Sequence, residues 1–132
     1  MTTGADEGPF AYVETQLGAR ARELLSGHPS QGPIHMLNLL KFVPDGGEQA
    51  YADYVAFTRP LTERFGVEPV TAVRPAEALI GDHYWDVVAI FKYPNRQTAI
   101  DMLNTSLYAE AEPMRTRALL DSELHVTDPM SF

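Results

Sequence analysis

The chain has 132 residues, no cysteine and a formal net charge of −8 at pH 7. That length is one domain with a real core, the acidic balance argues against a nucleic-acid partner, which needs a basic surface, and the lack of cysteine excludes disulfides, thiolate nucleophiles and Cys-ligated metals. No apolar stretch approaches the ~18 residues of a membrane-spanning helix, and Met1–Glu7 has neither the basic nor the apolar region of a signal peptide, so the expectation is a cytoplasmic protein without a membrane partner.

In chain order, residues 1–8 are small, polar and acidic, and fraying is expected there. Pro9 suits a first helical turn, and Phe10, Val13, Leu17, Leu24 and Leu25 follow helical spacing until Gly27 closes the segment. Gly18 weakens that helix slightly. His28-Pro-Ser-Gln-Gly-Pro33 is a linker of turn-formers, so residues 1–32 read as an N-terminal extension.

The longest apolar run follows, Pro33-Ile-His-Met-Leu-Asn-Leu-Leu-Lys-Phe42. It is too short to span a bilayer and reads as a strand, with Ile34, Met36, Leu40 and Phe42 on one face and Leu37 and Leu39 on the other. A strand apolar on both faces lies in a sheet covered on both sides. Asp45 and Glu48 have capping-box spacing ahead of a helix that carries Tyr51, Tyr54, Val55, Leu61 and Phe65 and should kink at Pro60. Pro69–Ile80 is extended, and its Pro75 argues for an edge or bulged strand. After the Gly81-Asp82 turn, Trp85–Tyr93 is a second strand apolar on both faces. Pro94-Asn95 starts a helix that breaks near Asn104–Ser106 and resumes over Leu107–Leu120, with Pro113 as a further kink, and Glu123–Thr127 is a short last strand.

The order after the extension is therefore β-α-β-β-α-β. This is the ferredoxin-like plan, an α+β fold with an antiparallel sheet and both helices on one face. The domain spans residues 33–128, and 129–132 form a tail. The two best strands, first and third, take the centre of such a sheet, and their second apolar face has no helix left to cover it. A second copy of the sheet is the simplest cover, which makes the expected partner the chain itself as a homodimer. The alternative is that the N-terminal helix lies over part of that face.

Several stretches then fall into one pattern. Met36-Leu-Asn-Leu-Leu-Lys-Phe42, Tyr51-x-x-Tyr54, Gly81 with Trp85-Asp86-Val-Val and Tyr93-Pro94, Tyr108 with Pro113 and Arg115, and Ala118–Ser122 together resemble the domain-of-unknown-function 1330 family of the dimeric α+β-barrel superfamily, over about residues 33–125. The resemblance implies two ferredoxin-like sheets facing each other across a dimer, and brings no established reaction. The wider superfamily includes cofactor-free quinone-forming monooxygenases, haem-degrading enzymes, lactone isomerases, stress-response dimers and ligand-binding regulatory domains, several with a pocket between sheet and helices. Carrying those functions over is analogy from fold alone.

Asn38 stands out as an amide in the middle of an apolar strand. Buried without partners it would cost roughly 1–3 kcal/mol, so it either ties the strand to a neighbouring loop or orients a ligand, the role a first-strand Asn has in some superfamily oxygenases. Trp85 could line the same pocket as a stacking surface or pack in the core or interface. Tyr51, Tyr54, Tyr84 and Tyr108 could rim a pocket for an aromatic ligand, or simply pack with a polar tip. Arg115 could bind an anionic group through its planar fork, or pair with Glu110 or Glu112. His28, His35, His83 and His125 have no ligand-bearing neighbour at helical spacing, although His35 and His125 lie on strands expected to pair, where two histidines can hold a metal but more often form a hydrogen-bonded structural couple. No nucleophile motif or phosphate loop accompanies them.

Two functions follow. One is a homodimer whose pocket binds a small apolar or aromatic molecule through Asn38, Tyr54, Trp85, Tyr108 and Arg115, with cofactor-free oxygenation or isomerisation as the chemistry. No metal and no cofactor are expected, and the sequence assigns no catalytic residue. The other is a non-catalytic dimeric ligand-binding or stress-response module.

Overall fold

The structure, a computed structural model, describes residues 8–132. The N-terminal stretch expected to fray, and to carry no leader, lies outside the described residues up to Glu7. Helix α1 spans Gln16–Leu25, strand β1 Ile34–Phe42, α2 Gly47–Arg64, β2 Glu68–Val73, β3 Val87–Tyr93, α3 Arg96–Leu103, α4 Ser106–Ala118 and β4 Leu119–Thr127. The strands form one open antiparallel sheet in the order β2-β3-β1-β4. This is the α+β ferredoxin-like arrangement, with the two doubly apolar strands at its centre. All of β2 is exposed at the sheet edge, and its register slips between Pro69 and Thr71, as an edge strand containing proline allows.

Three local expectations are corrected. Phe10 and Val13 are not part of α1: Gly8–Phe10 is a 3-10 turn, Tyr12 bridges to Thr105, and the helix begins only where the Thr15 hydroxyl accepts from the Gly18 N–H. Asp45 and Glu48 form no capping box. Gly46 caps α2 at φ 104 without a side-chain bond, a conformation that costs glycine least, while Glu48 instead pairs with Arg74 on the loop after β2. Strand β4 also starts earlier than its apolar pattern suggests, directly from the end of α4.

The break between α3 and α4 locks the N-terminal segment in place. Thr105 caps α4 by accepting from the Tyr108 N–H, and donates its hydroxyl hydrogen to the Met102 carbonyl. Asn104, 2% exposed, donates to the carbonyls of Gly18 and Ile100 and accepts from the Thr15 N–H. Gly18 is what lets α1 come this close, since a Cβ there would lie 2.0 Å from the Asn104 Oδ1 and 2.7 Å from the Leu103 carbonyl oxygen. The glycine that weakens α1 as an isolated helix is thus what allows it to dock.

The two sheet faces differ. On the helix side Ile34, Met36, Asn38, Leu40, Ala89 and Tyr93 are buried, and Ala21 and Leu25 of α1 join the same core. On the other side Leu37 and Leu39 pair across to Ile90 and Val88, and all four stay partly exposed. Because α1 packs on α3, it does not cover that outer face, and the alternative that assigned it there is set aside.

Candidate functional site

Asn38 sits at the centre of the sheet's helix-facing side, between Ala89 on β3 and Leu124 on β4. It is buried, yet its bonds are long: Nδ2 to the Met36 carbonyl at 3.4 Å, and Oδ1 from the Arg115 guanidinium at 3.5 Å. Both lie at the weak limit of hydrogen bonding. The amide is therefore not sealed in packing. It borders a cavity of about 380 Å³ between the sheet and helices α2 and α4.

The polar wall is built by helical and strand spacing. Tyr51 and Tyr54, three residues apart on α2, Tyr108 and Arg115, seven apart on α4, and Asn38 on β1 all line this cavity. The Tyr51 and Tyr54 rings lie 5.2 Å apart, and Tyr54 meets Tyr108 edge-on at 6.4 Å with their hydroxyls 3.2 Å apart. Met36, Leu61, Phe91 and Leu103 supply apolar wall. Burial pushes the phenols of Tyr51, Tyr54 and Tyr93 up, and that of Tyr108 up to about 12, while the nearby Arg115 charge opposes the shift in each. At neutral pH these phenols are therefore protonated donors, not bases. The carboxylate on the wall is the exposed Glu63.

Arg115 forms no ion pair among the described residues. Glu112, the acidic neighbour expected to hold it, instead accepts from the N–H groups of Gln16 and Leu17 and so caps α1. Arg115 also borders a shallow surface hollow with Gln16, Arg20, Glu112 and Thr116. Its guanidinium thus stands between the cavity and the surface.

The structure brings Asn38, Tyr54, Tyr108 and Arg115 to this one cavity. It does not bring Trp85, which precedes β3, packs edge-on against Tyr84 at 4.9 Å and is absent from the cavity wall. Tyr84 likewise faces away and donates to Asp121. The His35–His125 couple is not formed either: His125 bonds Glu123, and His35 lies opposite Thr127. Among the described residues no three His, Asp or Glu side chains converge as a metal site would require. Tyr93 and Phe91 also line the cavity, which sequence reading had assigned only to a central strand. Their signal was the alternation along β3, legible only with the β1–β3 register in hand.

The family described as "Domain of unknown function (DUF1330)" matches residues 46–127, which include Tyr54, Tyr108 and Arg115 but not Asn38. The crystal structure of the RPA0582 protein of unknown function from Rhodopseudomonas palustris is similar at 33% identity and a TM-score of 0.75, over 89% of this chain and 95% of that one, and its methylated form matches at 33% and 0.74 over 89% and 93%. A candidate antibiotic biosynthesis monooxygenase from Caulobacter crescentus CB15 shares the fold at 13% identity and a TM-score of 0.55, over 85% of this chain and 99% of that one. A search of the curated proteins found no match.

Proposed function

This chain belongs to the DUF1330 family, and we propose that it is a cytoplasmic homodimer that receives a small apolar or aromatic molecule in the cavity between sheet and helices. The observation that carries this reading is Asn38, a buried amide whose two protein bonds are at the weak limit and which borders open volume. A buried polar group so poorly satisfied is costly unless a ligand or water completes it. The cavity volume falls at the lower end of the range of about 300–1,000 Å³ usual for small-molecule sites.

The chemistry that suits this wall is cofactor-free oxygenation or isomerisation. Protonated phenols and a guanidinium are donors, and such groups stabilise an oxyanion developing on the ligand. The fold shared with the Caulobacter crescentus protein supports this only as an analogy. A non-catalytic binding or stress-response module is the second reading, favoured by the buried tyrosines, which donate protons rather than abstract them. Support for the second copy comes from the outer face, where Leu37, Leu39, Val88 and Ile90 form an uncovered apolar patch.

A thermal-shift screen of aromatic and apolar compounds tests the pocket, because binding to the native state alone raises the melting temperature. Hits should lose their shift in Asn38→Ala with the circular dichroism of the fold retained. Turnover of a hit in air, followed by oxygen uptake or product chromatography, would sink the binding-only version. A screen without Asn38-dependent hits would sink the pocket.

A further inference from the structure

We infer that the ligand of this cavity is an amphipathic monocarboxylate, its carboxylate held by Arg115 with Asn38 and Tyr51 beside it and its apolar or aromatic body lying against Met36, Leu61 and Phe91. This deepens the pocket reading above and rests on it.

The first argument is charge. The chain carries 18 acidic residues against 10 basic ones, and Arg20, Arg22, Arg74 and Arg96 each have a carboxylate partner, while Arg59, Arg64 and Arg117 have none among the described residues but are solvent-exposed. Arg96, the buried arginine, is held by Asp128 at 2.9 Å. Arg115 is partly buried in the cavity wall and has none among the described residues, although Glu112 lies one helical turn away. That carboxylate is committed to the start of α1, its Oε2 2.9 Å from the Leu17 nitrogen. In a protein this acidic, a partly buried guanidinium left without a counter-charge beside a cavity marks where an anion from outside would sit, which the exposed Arg59 at the rim of the same cavity, screened by water, does not.

The second argument is the balance of donors and acceptors. Arg115 has only donors, in a planar fork that fits a carboxylate. Tyr54 and Tyr108 share one hydrogen bond, so one of the two phenol hydrogens has no use within the pair. Tyr51 stands close enough to Arg115 for the cation to act on its phenol, and Asn38 offers a further N–H. An acceptor-only group with several lone pairs completes this set, whereas a neutral alcohol or amide would bring more donors.

The third argument is shape. Tyr51 and Leu61 both line the cavity from α2, and their separation along the helix is about 15 Å at 1.5 Å per residue. The donors Asn38, Tyr51, Tyr54, Tyr108 and Arg115 gather towards the Tyr51 end, while the far part is lined by Leu61, Val67 and Phe91 together with Thr58 and Thr62, whose hydroxyls are spent on helix carbonyls, and the exposed Arg59 and Glu63 at the rim. One charged head and one apolar body fit that polarity.

The test is calorimetric titration of the full chain with cinnamate, naphthoate and octanoate, each against its primary amide, which keeps the shape and removes the charge. At least one acid should bind about 10- to 100-fold tighter than its amide, the span expected for a charge-assisted hydrogen-bonded contact. Arg115→Gln should bring acid and amide level, and Arg115→Lys should recover part of the preference. The acid–amide comparison on the unaltered protein stands even if a variant folds poorly. Amides binding as well as acids, in an Asn38-dependent way, would overturn the carboxylate assignment and leave the pocket standing. Failure of both sets, with no Asn38-dependent ligand in the wider screen, would overturn both.

Discussion

Replacing Asn104 by alanine tests how the N-terminal helix is anchored. Its amide makes three buried bonds, to the Gly18 carbonyl at 3.1 Å, to the Ile100 carbonyl at 2.9 Å and from the Thr15 N–H at 3.2 Å. At 2% exposure little water can replace them. The Thr15 N–H and the Ile100 carbonyl are left without a partner at about 1–3 kcal/mol each, while the Gly18 carbonyl lies inside α1 with a helical donor, so the low end is about 2 kcal/mol for the site. For a domain of this size that corresponds to a fall in Tm of about 7 °C. Gly18→Ala is destabilising for the complementary reason, because its methyl would stand 2.0 Å from the Asn104 Oδ1 and 2.4 Å from its Cγ. In the Asn104→Ala background the two nearest of these atoms are gone, while the Leu103 carbonyl oxygen at 2.7 Å still obstructs. The double substitution should therefore cost less than the sum of the singles, by at least about 1 kcal/mol. Urea unfolding followed by far-UV circular dichroism, at one fixed protein concentration so that any self-association is held constant, measures all four corners of the cycle. Additivity within about 0.5 kcal/mol would refute the claim that Gly18 and Asn104 form one interlocked contact.

Other outcomes follow from named contacts. Burial raises the Tyr108 phenol to about 12, so the folded chain holds its proton after the unfolded chain's phenols ionise near pH ~10; stability should fall as the pH rises from there towards that value, and Tyr108→Phe should flatten this alkaline limb in denaturation curves. Asp86 is held below the usual carboxylate range mainly by the Phe42 N–H at 2.9 Å, with Lys41 assisting; its contribution is present above pH ~4 and lost as the pH falls below it, so Asp86→Asn should give a shallower acid limb. Glu112→Gln removes the charge that caps α1 and should speed amide hydrogen exchange at Gln16 and Leu17, at a cost of about 1 kcal/mol; unchanged exchange there would show the cap to be idle. On the outer sheet face, Leu39→Glu opposite Val88 and Glu123 should shift sedimentation at micromolar concentration from dimer to monomer while the far-UV spectrum is kept. A monomer already in the unaltered protein would remove the second copy.

The central strands were legible because their pattern is physical: a run apolar on both faces, as in Ile34–Phe42 and Val87–Tyr93, has few places to go but the middle of a sheet. The helix break at Asn104-Thr105 was legible for a similar reason, since short polar side chains compete with the helix for backbone bonds. The start of α1 was not, because helical spacing from Phe10 onward continued a pattern that tertiary contacts override: Tyr12 bridges Thr105, and the Val13 N–H reaches the Asn104 carbonyl.

For the site, the sequence by itself named Asn38, Tyr54, Tyr108 and Arg115 from their chemistry, one residue at a time. Only the tertiary structure decided that they share a cavity, that Trp85 does not, and that Glu112 is turned to α1 and leaves Arg115 without a carboxylate among the described residues. The physical reason is that residue type fixes what a side chain can donate or accept. Which partner it meets depends on strand register and helix docking between positions as far apart as Asn38 and Arg115, and no local pattern encodes those distances.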